Sequence, residues 1–388
     1  MKIASKMGRL GMETAFDVLA QARALEAQGH SVIHMEIGEP DFDTPSAIID
    51  AATESLHKGF THYGSSQGLA ELCELIAAEA TKSRGMKFSP SNVIVTPGAK
   101  PIMFFAIMAL AEEGDEVIYP DPGFPIYKSM IDFVGAKAVP LVLSEERAFG
   151  IDLDELRSKI TPRTTLLILN SPHNPTGGVI AAEQLEEIAA LAVKHDLWVL
   201  SDEVYRRILY QGKHVSIATF PGMAERTIIL DGYSKTYAMT GWRLGFGIVP
   251  DPLVMHFVRL VNNSVSCTPT FIQKAALACP QTEPEVAKMV KEFTARRKVV
   301  VEGLNAIEGI SCLWPAGAFY AFPNVKNVGM PGPEFAHHLL HEAGVATLSG
   351  TAFGDAGNGY LRISYANSQA NLKEALRRIA GAVKKIRG

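Results

Sequence analysis

Short runs rich in Val, Ile and Leu recur along the middle of the chain from about residue 92: NVIVTPG, DEVIYP, KAVPLVL, TTLLILN, LWVLSDE, TIILDG and LGFGIV. Apolar on both faces and bounded by turn residues, these read as fully buried strands. Between TTLLILN and LWVLSDE, the stretch AAEQLEEIAALAVKHD places Leu185, Ile188, Ala189 and Ala192 on one face. That spacing predicts an amphipathic crossover helix. Pro101 suits the first turn of a helix whose body, IMFFAIMALAEE, is apolar nearly all round and ends before Gly114. Strands apolar on both sides, joined by helices, predict an α/β fold with a mostly parallel sheet covered by helices on both faces.

The pattern changes near residue 280. A long charged helix, EPEVAKMVKEFTARRKVVVEGL, leads to short strands near AFYAF and YLRIS and to a closing helix from Asn371. This predicts a smaller α+β domain. A chain of 388 residues exceeds what one hydrophobic core usually holds, so two domains are expected. Residues 46–280 form the large domain in this reading and 281–388 the small one. Residues 1–45 are an N-terminal arm, whose helix near residues 14–28 joins the small domain.

Composition narrows the classes. With 47% hydrophobic and 20% charged residues the chain is ordinary globular material. A net charge of -4 points to no nucleic-acid or anionic-membrane surface. No run of 18 or more apolar residues is present. The stretch MKIASKMGRLGMETAF has basic residues without a continuous apolar segment behind them, so no secretory signal is read there. Cys73, Cys267, Cys279 and Cys312 are scattered with no C-x-x-C pair, as in a reducing compartment. The expectation is a cytoplasmic protein.

Ligands of open parallel sheets bind at the carboxyl ends of strands. After NVIVT stands Pro97-Gly98-Ala99-Lys100, opening a helix. Small residues there let backbone N–H groups approach a phosphate; the spacing is not that of a Walker loop. After TTLLILN comes SPHNPTGG, after LWVLS comes Asp202-Glu203-Val204-Tyr205, and after TIILDG comes Tyr233-Ser234-Lys235. Each alone is also ordinary turn or strand-end chemistry; four at successive strand ends read as one site. Asp202 follows an apolar strand, so its carboxylate is expected to be partly buried and to need a cationic partner. Lys235 is the only charged residue from Tyr233 to Trp242. A lysine in such surroundings is either a solvated turn residue or one held in a pocket for chemistry. His337, His338 and His341 lie on one predicted helix with no acidic or cysteine partner at zincin-like spacing, so an exposed face is expected rather than a metal site. The glycines at 245 and 247 fall within a strand and lack the third glycine of a dinucleotide fingerprint.

The segments SPHNPTGG, SDEVY and SKTYAMTGWRLGF resemble the successive signatures of class I/II pyridoxal-phosphate-dependent aminotransferases, the aspartate-aminotransferase-like family. The likeness runs from IGEPDF (residues 37–42) to YLRISYA (residues 360–366). It implies a homodimeric enzyme that binds pyridoxal 5'-phosphate and works by a ping-pong mechanism. Lys235 matches the lysine that forms a Schiff base with the cofactor and then moves the Cα proton. Desolvation would depress its pKa toward the useful range. Asp202 matches the partner of the pyridinium nitrogen; Tyr205 and Asn174 match donors to the phenolic oxygen. Gly98, Ala99, Lys100, Ser234 and Arg243 match the phosphate site, and Phe124 matches a ring stacked on the pyridine. Tyr63, in THYGSSQG, matches a tyrosine that reaches the phosphate bound by the neighbouring subunit. Arg362 and Gly38 match groups that take the substrate α-carboxylate, with Asn174 beside them.

The substrate side chain stays open at this level. Lys100 either lies near a distal carboxylate, as in some bacterial members, or points to solvent or phosphate. Glu13 and Asp17 in the arm GRLGMETAFD would oppose an acidic substrate if they face the site. Aspartate or glutamate, alanine and aromatic amino acids are all candidates, with 2-oxoglutarate or pyruvate as acceptor. A lyase performing β-elimination on the same scaffold is the alternative.

Overall fold

The computed structural model describes residues 1–388. Twelve strands run in chain order: β1 Ile33–His34, β2 Val93–Thr96, β3 Glu116–Asp121, β4 Lys137–Val142, β5 Thr164–Asn170, β6 Trp198–Asp202, β7 Thr227–Gly232, β8 Gly245–Ile248, β9 Tyr320–Ala321, β10 Val345–Ala346, β11 Leu348–Ser349 and β12 Leu361–Ser364. The seven predicted apolar runs, β2 to β8, form one sheet in the order β2-β8-β7-β6-β5-β3-β4. Pairing is parallel from β7 through to β4, whereas β8 runs antiparallel to both β2 and β7. Four residues apolar on both faces carry no mark of strand direction, so this reversal is a structural finding.

Each face of the large sheet has its own core. On one side Ile102, Met103 and Ala106 of the helix Lys100–Leu110 pack with Ile94, Leu166 and Leu230. On the other, Leu185, Ile188, Ala189 and Ala192 of the helix Ala182–Lys194 meet Ile118, Leu167 and Val199. These are the four residues whose spacing predicts the crossover helix. Each fully buried Leu, Ile or Val of this kind contributes roughly 1.5–3 kcal/mol relative to an exposed one.

A second, smaller sheet has the order β11-β12-β9, all antiparallel. Its core joins Phe319, Leu361 and Ile363 to Val300, Val301 and Leu304 of the helix Glu283–Asn305, and to Leu376 and Ile379 of the last helix. That last helix, Gln369–Arg387, begins two residues before the predicted start, because the Ser368 hydroxyl accepts from the Asn371 N–H as an N-cap. The N-terminal helix Thr14–Ala27 packs Ala22 against Leu340 and Ala346, and β1 pairs in parallel with β10. No helix is long and apolar enough to cross a membrane. His337 and His341 stand with ring centroids 4.1 Å apart on an exposed face of the helix Gly332–Ala343, and no group of three potential metal ligands forms there or elsewhere.

Candidate active site

Pairing register brings the chemistry together. Asn170 at the end of β5 lies directly beside Asp202 at the end of β6, and Asp202 lies beside Leu230 of β7, two residues before the turn into the short helix Tyr233–Thr236 that carries Lys235. Across β2, β8 and β7, Gly245 faces both Thr96 and Gly232. The strand ends open into one cavity of about 580 Å³. Ala99, Lys100, Phe124, Asn174 and Asp202 line it from the large sheet, together with Tyr205, Ser234, Lys235 and Arg243. Gly38 enters from the N-terminal segment and Arg362 from β12 of the smaller sheet.

Two expected residues are placed elsewhere. Gly98 does not line the cavity. It has φ +79°, and a Cβ there would stand 2.1 Å from Arg243 Nη2. The missing side chain leaves room for the Arg243 guanidinium beside the cavity. Tyr63 is 89% exposed and outside the cavity of its own chain.

Lys235 donates from Nζ to the Gly38 carbonyl at 2.6 Å, across from the large sheet to the N-terminal segment. Burial pushes its pKa down to about 8; the Arg362 and Arg243 charges act in the same direction, while Glu39 and Glu13 oppose them. The amine is therefore surrounded by charges in space although Lys235 is the only charged residue from Tyr233 to Trp242. Gly38 is required here, since a Cβ would lie 2.2 Å from the Tyr320 hydroxyl oxygen.

Asp202 departs from expectation. Its Oδ2 accepts from the Tyr127 hydroxyl at 2.5 Å and its Oδ1 from the Val204 N–H at 3.3 Å, and no cation of the chain pairs with it. Burial pushes its pKa up to about 6 in spite of these donors. The carboxylate so held faces the cavity and can accept a cationic N–H from a bound group.

Arg362 is buried with its guanidinium 4.7 Å from the Tyr320 ring centroid and 5.0 Å from that of Phe353. It donates to the Glu36 carbonyl and, at 3.4 Å, to Asn174 Oδ1. Its Nε has no partner, and no carboxylate lies within ion-pair distance. Leaving such donors buried is costly, and a carboxylate accepting from the fork relieves that cost. The Asn174 N–H donates to Asn170 Oδ1 at 2.9 Å, which fixes the loop after β5. The Tyr205 and Tyr320 hydroxyls share a hydrogen bond of 2.7 Å.

At the opposite end, Ala99 caps the helix Lys100–Leu110, and a Cβ on Gly245 would stand 2.2 Å from the Ala99 nitrogen. Two glycines thus keep this helix N-terminus open beside Arg243, which bonds only the Thr240 carbonyl, at 2.9 Å. Such a cradle suits a phosphate. Phe124 is fixed edge-on against Tyr127, with centroids 5.7 Å apart. The Lys100 ammonium, on a partly exposed side chain, pairs with Glu13 and stands 5.4 Å from the Phe124 ring centroid.

Sequence reasoning missed Tyr127, Tyr320 and Asn170. Tyr127 follows Phe124 by one helical turn in DPGFPIY, a spacing that brings the two rings together and that points to it in retrospect. Tyr320 sits on a two-residue strand, too short to show which face it presents.

Known proteins are similar to this chain in sequence and fold. The family model for aminotransferase class I and II matches residues 30–379. An aspartate aminotransferase of Pyrococcus abyssi is 44% identical over 353 residues, 90% of each chain. Aromatic-amino-acid aminotransferase 2 of Thermococcus litoralis is 42% identical, covering 92% of this chain and 93% of that protein. The solved structure of the aspartate aminotransferase of Thermus thermophilus with maleate superposes with a TM-score of 0.95 at 35% identity, over 98% of this chain and 100% of the other. With a family match that spans most of its length and relatives of this similarity, the chain belongs to the class I and II aminotransferases.

Proposed function

We propose that the chain is a pyridoxal 5'-phosphate-dependent aminotransferase that moves an amino group between an L-amino acid and a 2-oxo acid, 2-oxoglutarate or pyruvate, by a ping-pong sequence. The observation that carries this reading is the pairing of a buried carboxylate that lacks a cation, Asp202, with a buried lysine of depressed pKa in the same cavity. The cavity fits the cofactor at each end. Asp202 would accept the ring N–H, the cradle at Ala99 with Ser234 and Arg243 would hold the phosphate, and Phe124 would flank the ring. Asn174 and Tyr205 would donate to the phenolic oxygen, and Lys235 would be the covalent anchor. When bound, the cofactor supplies an electron sink for the pair left at the substrate Cα.

The chain's own groups do the rest. Arg362, which has no carboxylate partner in the chain and an unpartnered Nε, binds the α-carboxylate and so orients the Cα–H bond. The Lys235 amine, neutral in part near pH 8, would take the proton from Cα and would deliver it to the cofactor carbon on the far side of the amino nitrogen. Arg362 and Gly38 lie on the side of the small sheet and Lys235 on the large one, so a bound carboxylate draws the two together and excludes water. The exposure of Tyr63 supports a homodimer in which the partner subunit's Tyr63 reaches the phosphate. A cytoplasmic location agrees with the free cysteines. The relatives' names favour amino-group transfer over β-elimination.

Lys235→Ala tests the reading. The variant should keep its fold by circular dichroism and lose essentially all turnover; substantial transamination by it would rule the assignment out.

A further inference from the structure

Four cationic side chains line the cavity, and they are not equivalent. Lys235 donates to the Gly38 carbonyl, Arg243 to the Thr240 carbonyl, and Arg362 to the Glu36 carbonyl and Asn174 Oδ1. None of these three has a carboxylate within ion-pair distance. The fourth, Lys100, is paired with Glu13 Oε1. A phosphate and an α-carboxylate therefore find free cations in the cavity, whereas the remaining cation is already neutralised by the chain itself.

Glu13 is delivered by a segment tethered on both sides. Before it, the Gly11 N–H donates to Ser129 Oγ at 2.9 Å and Arg9 Nη2 to the Phe133 carbonyl at 3.2 Å, both on the helix Ile126–Val134. After it, the helix Thr14–Ala27 is held by Ala22 against Leu340 and Ala346. The Glu13 carboxylate makes no capping bond to its own helix and has no side-chain partner other than Lys100. Its side chain is 19% exposed, less than the 41% of Lys100.

We propose that the Glu13–Lys100 pair sets the side-chain preference of this site, favouring amino and oxo acids with a single carboxylate over aspartate, glutamate and 2-oxoglutarate. A second carboxylate that enters must displace Glu13 from Lys100 or lie beside Glu13 as a like charge. An aliphatic or aromatic side chain does neither, and Ala15, Phe16, Ile37 and Phe124 line the same cavity. The inference rests on the aminotransferase reading and makes pyruvate the favoured acceptor.

The test compares the cofactor-loaded wild type, Glu13→Gln and the double variant Glu13→Gln/Lys100→Met. Each is mixed singly with aspartate, glutamate, alanine and phenylalanine, and binding of the unreactive acids succinate and butyrate is titrated. Wild type should react faster with alanine or phenylalanine than with either acidic amino acid. Glu13→Gln should raise the acidic-to-neutral ratio of kcat/KM about tenfold, the change that ~1.4 kcal/mol produces, and tighten succinate but not butyrate. Lys100→Met in addition should abolish that gain. An unchanged ratio in Glu13→Gln, a gain that survives Lys100→Met, or a wild type that prefers aspartate to both neutral substrates would overturn the proposal. If no amino acid reacts with wild type, the aminotransferase reading fails, and the succinate titration still decides the role of the pair.

Discussion

The Tyr127 hydroxyl stands 2.5 Å from Asp202 Oδ2 and is the only side chain that donates to that carboxylate. Burial holds Asp202 at about pKa 6, and the Tyr127 bond opposes the rise. Tyr127→Phe therefore pushes the pKa above 6 and leaves less carboxylate ionised at neutral pH. A hydrogen bond to a charged group is worth about 1.5–3 kcal/mol, so pyridoxal 5'-phosphate should bind the variant about tenfold more weakly at pH 7. Raising the pH to 8.5 should recover part of the loss, because the group must be ionised to accept a cation. Equilibrium titration of the apoprotein at the two pH values checks this; equal affinities for variant and wild type would count against the role given to Asp202.

Lys235 should titrate apart from the other lysines. Its amine is half neutral at about pH 8 because burial disfavours the ammonium, whereas an ordinary lysine reaches that point at about 10.4. An acylating reagent applied to the apoprotein should label Lys235 ahead of surface lysines, with a midpoint near pH 8 by peptide mapping. Labelling that follows the surface lysines would contradict the electrostatic account of this site.

Gly98→Ala addresses the phosphate end. A side chain at φ +79° is strained, costing about 1 kcal/mol, and its Cβ would collide with the tip of Arg243. Because that tip is the flexible end of a long side chain, the guanidinium should move rather than the fold fail. Binding of pyridoxal 5'-phosphate should fall several-fold, while binding of unphosphorylated pyridoxal stays near the wild-type value. An equal loss for both ligands would remove Arg243 from the phosphate site.

Much of this was legible in the sequence, and the reason is physical. Strands buried on both faces must be apolar throughout, so inner strands such as β2, β5 and β6 stand out as apolar runs, and residues just past their ends are forced toward one edge of the sheet; the edge strand β4, also expected to be fully buried, is only partly so. That placed Asp202, Asn174 and Lys235 together. What stayed hidden depends on contacts distant in the chain. Tyr127 meets Asp202 across 75 residues and Glu13 meets Lys100 across 87, and no local pattern encodes either pair. The expectation of a cation beside Asp202 was sound electrostatics applied to the chain alone; the structure supplies a phenol there. β8 was found but not its direction, because Gly245–Ile248 is too short and too uniformly buried to show it.

Behind the site, Arg84 is a buried cation between two buried carboxylates, 2.6 Å from Glu203 Oε2 and 3.3 Å from Asp231 Oδ2. Burial alone would raise the Glu203 pKa, but Arg84 and His214 more than offset this and hold it well below the usual carboxylate range. A depressed pKa contributes stability above the unfolded value and loses it as pH falls through the folded one. Arg84→Met leaves both carboxylates without this partner and should cost about 3–5 kcal/mol at pH 7. Denaturant unfolding should show the deficit narrowing as pH drops below the ordinary carboxylate value; a constant deficit would assign the loss to packing.

Single half-reactions isolate amino-group transfer at Lys235 from the second substrate. The cofactor-loaded protein is mixed with one L-amino acid at a time, with no oxo acid present, while the cofactor spectrum is followed and the products are identified by mass. The account predicts that reactive amino acids release their own 2-oxo acids in amounts equal to the enzyme, leaving the cofactor in its amine form. Release of ammonia with pyruvate, repeated beyond one equivalent, would contradict it and identify an eliminating enzyme on this fold.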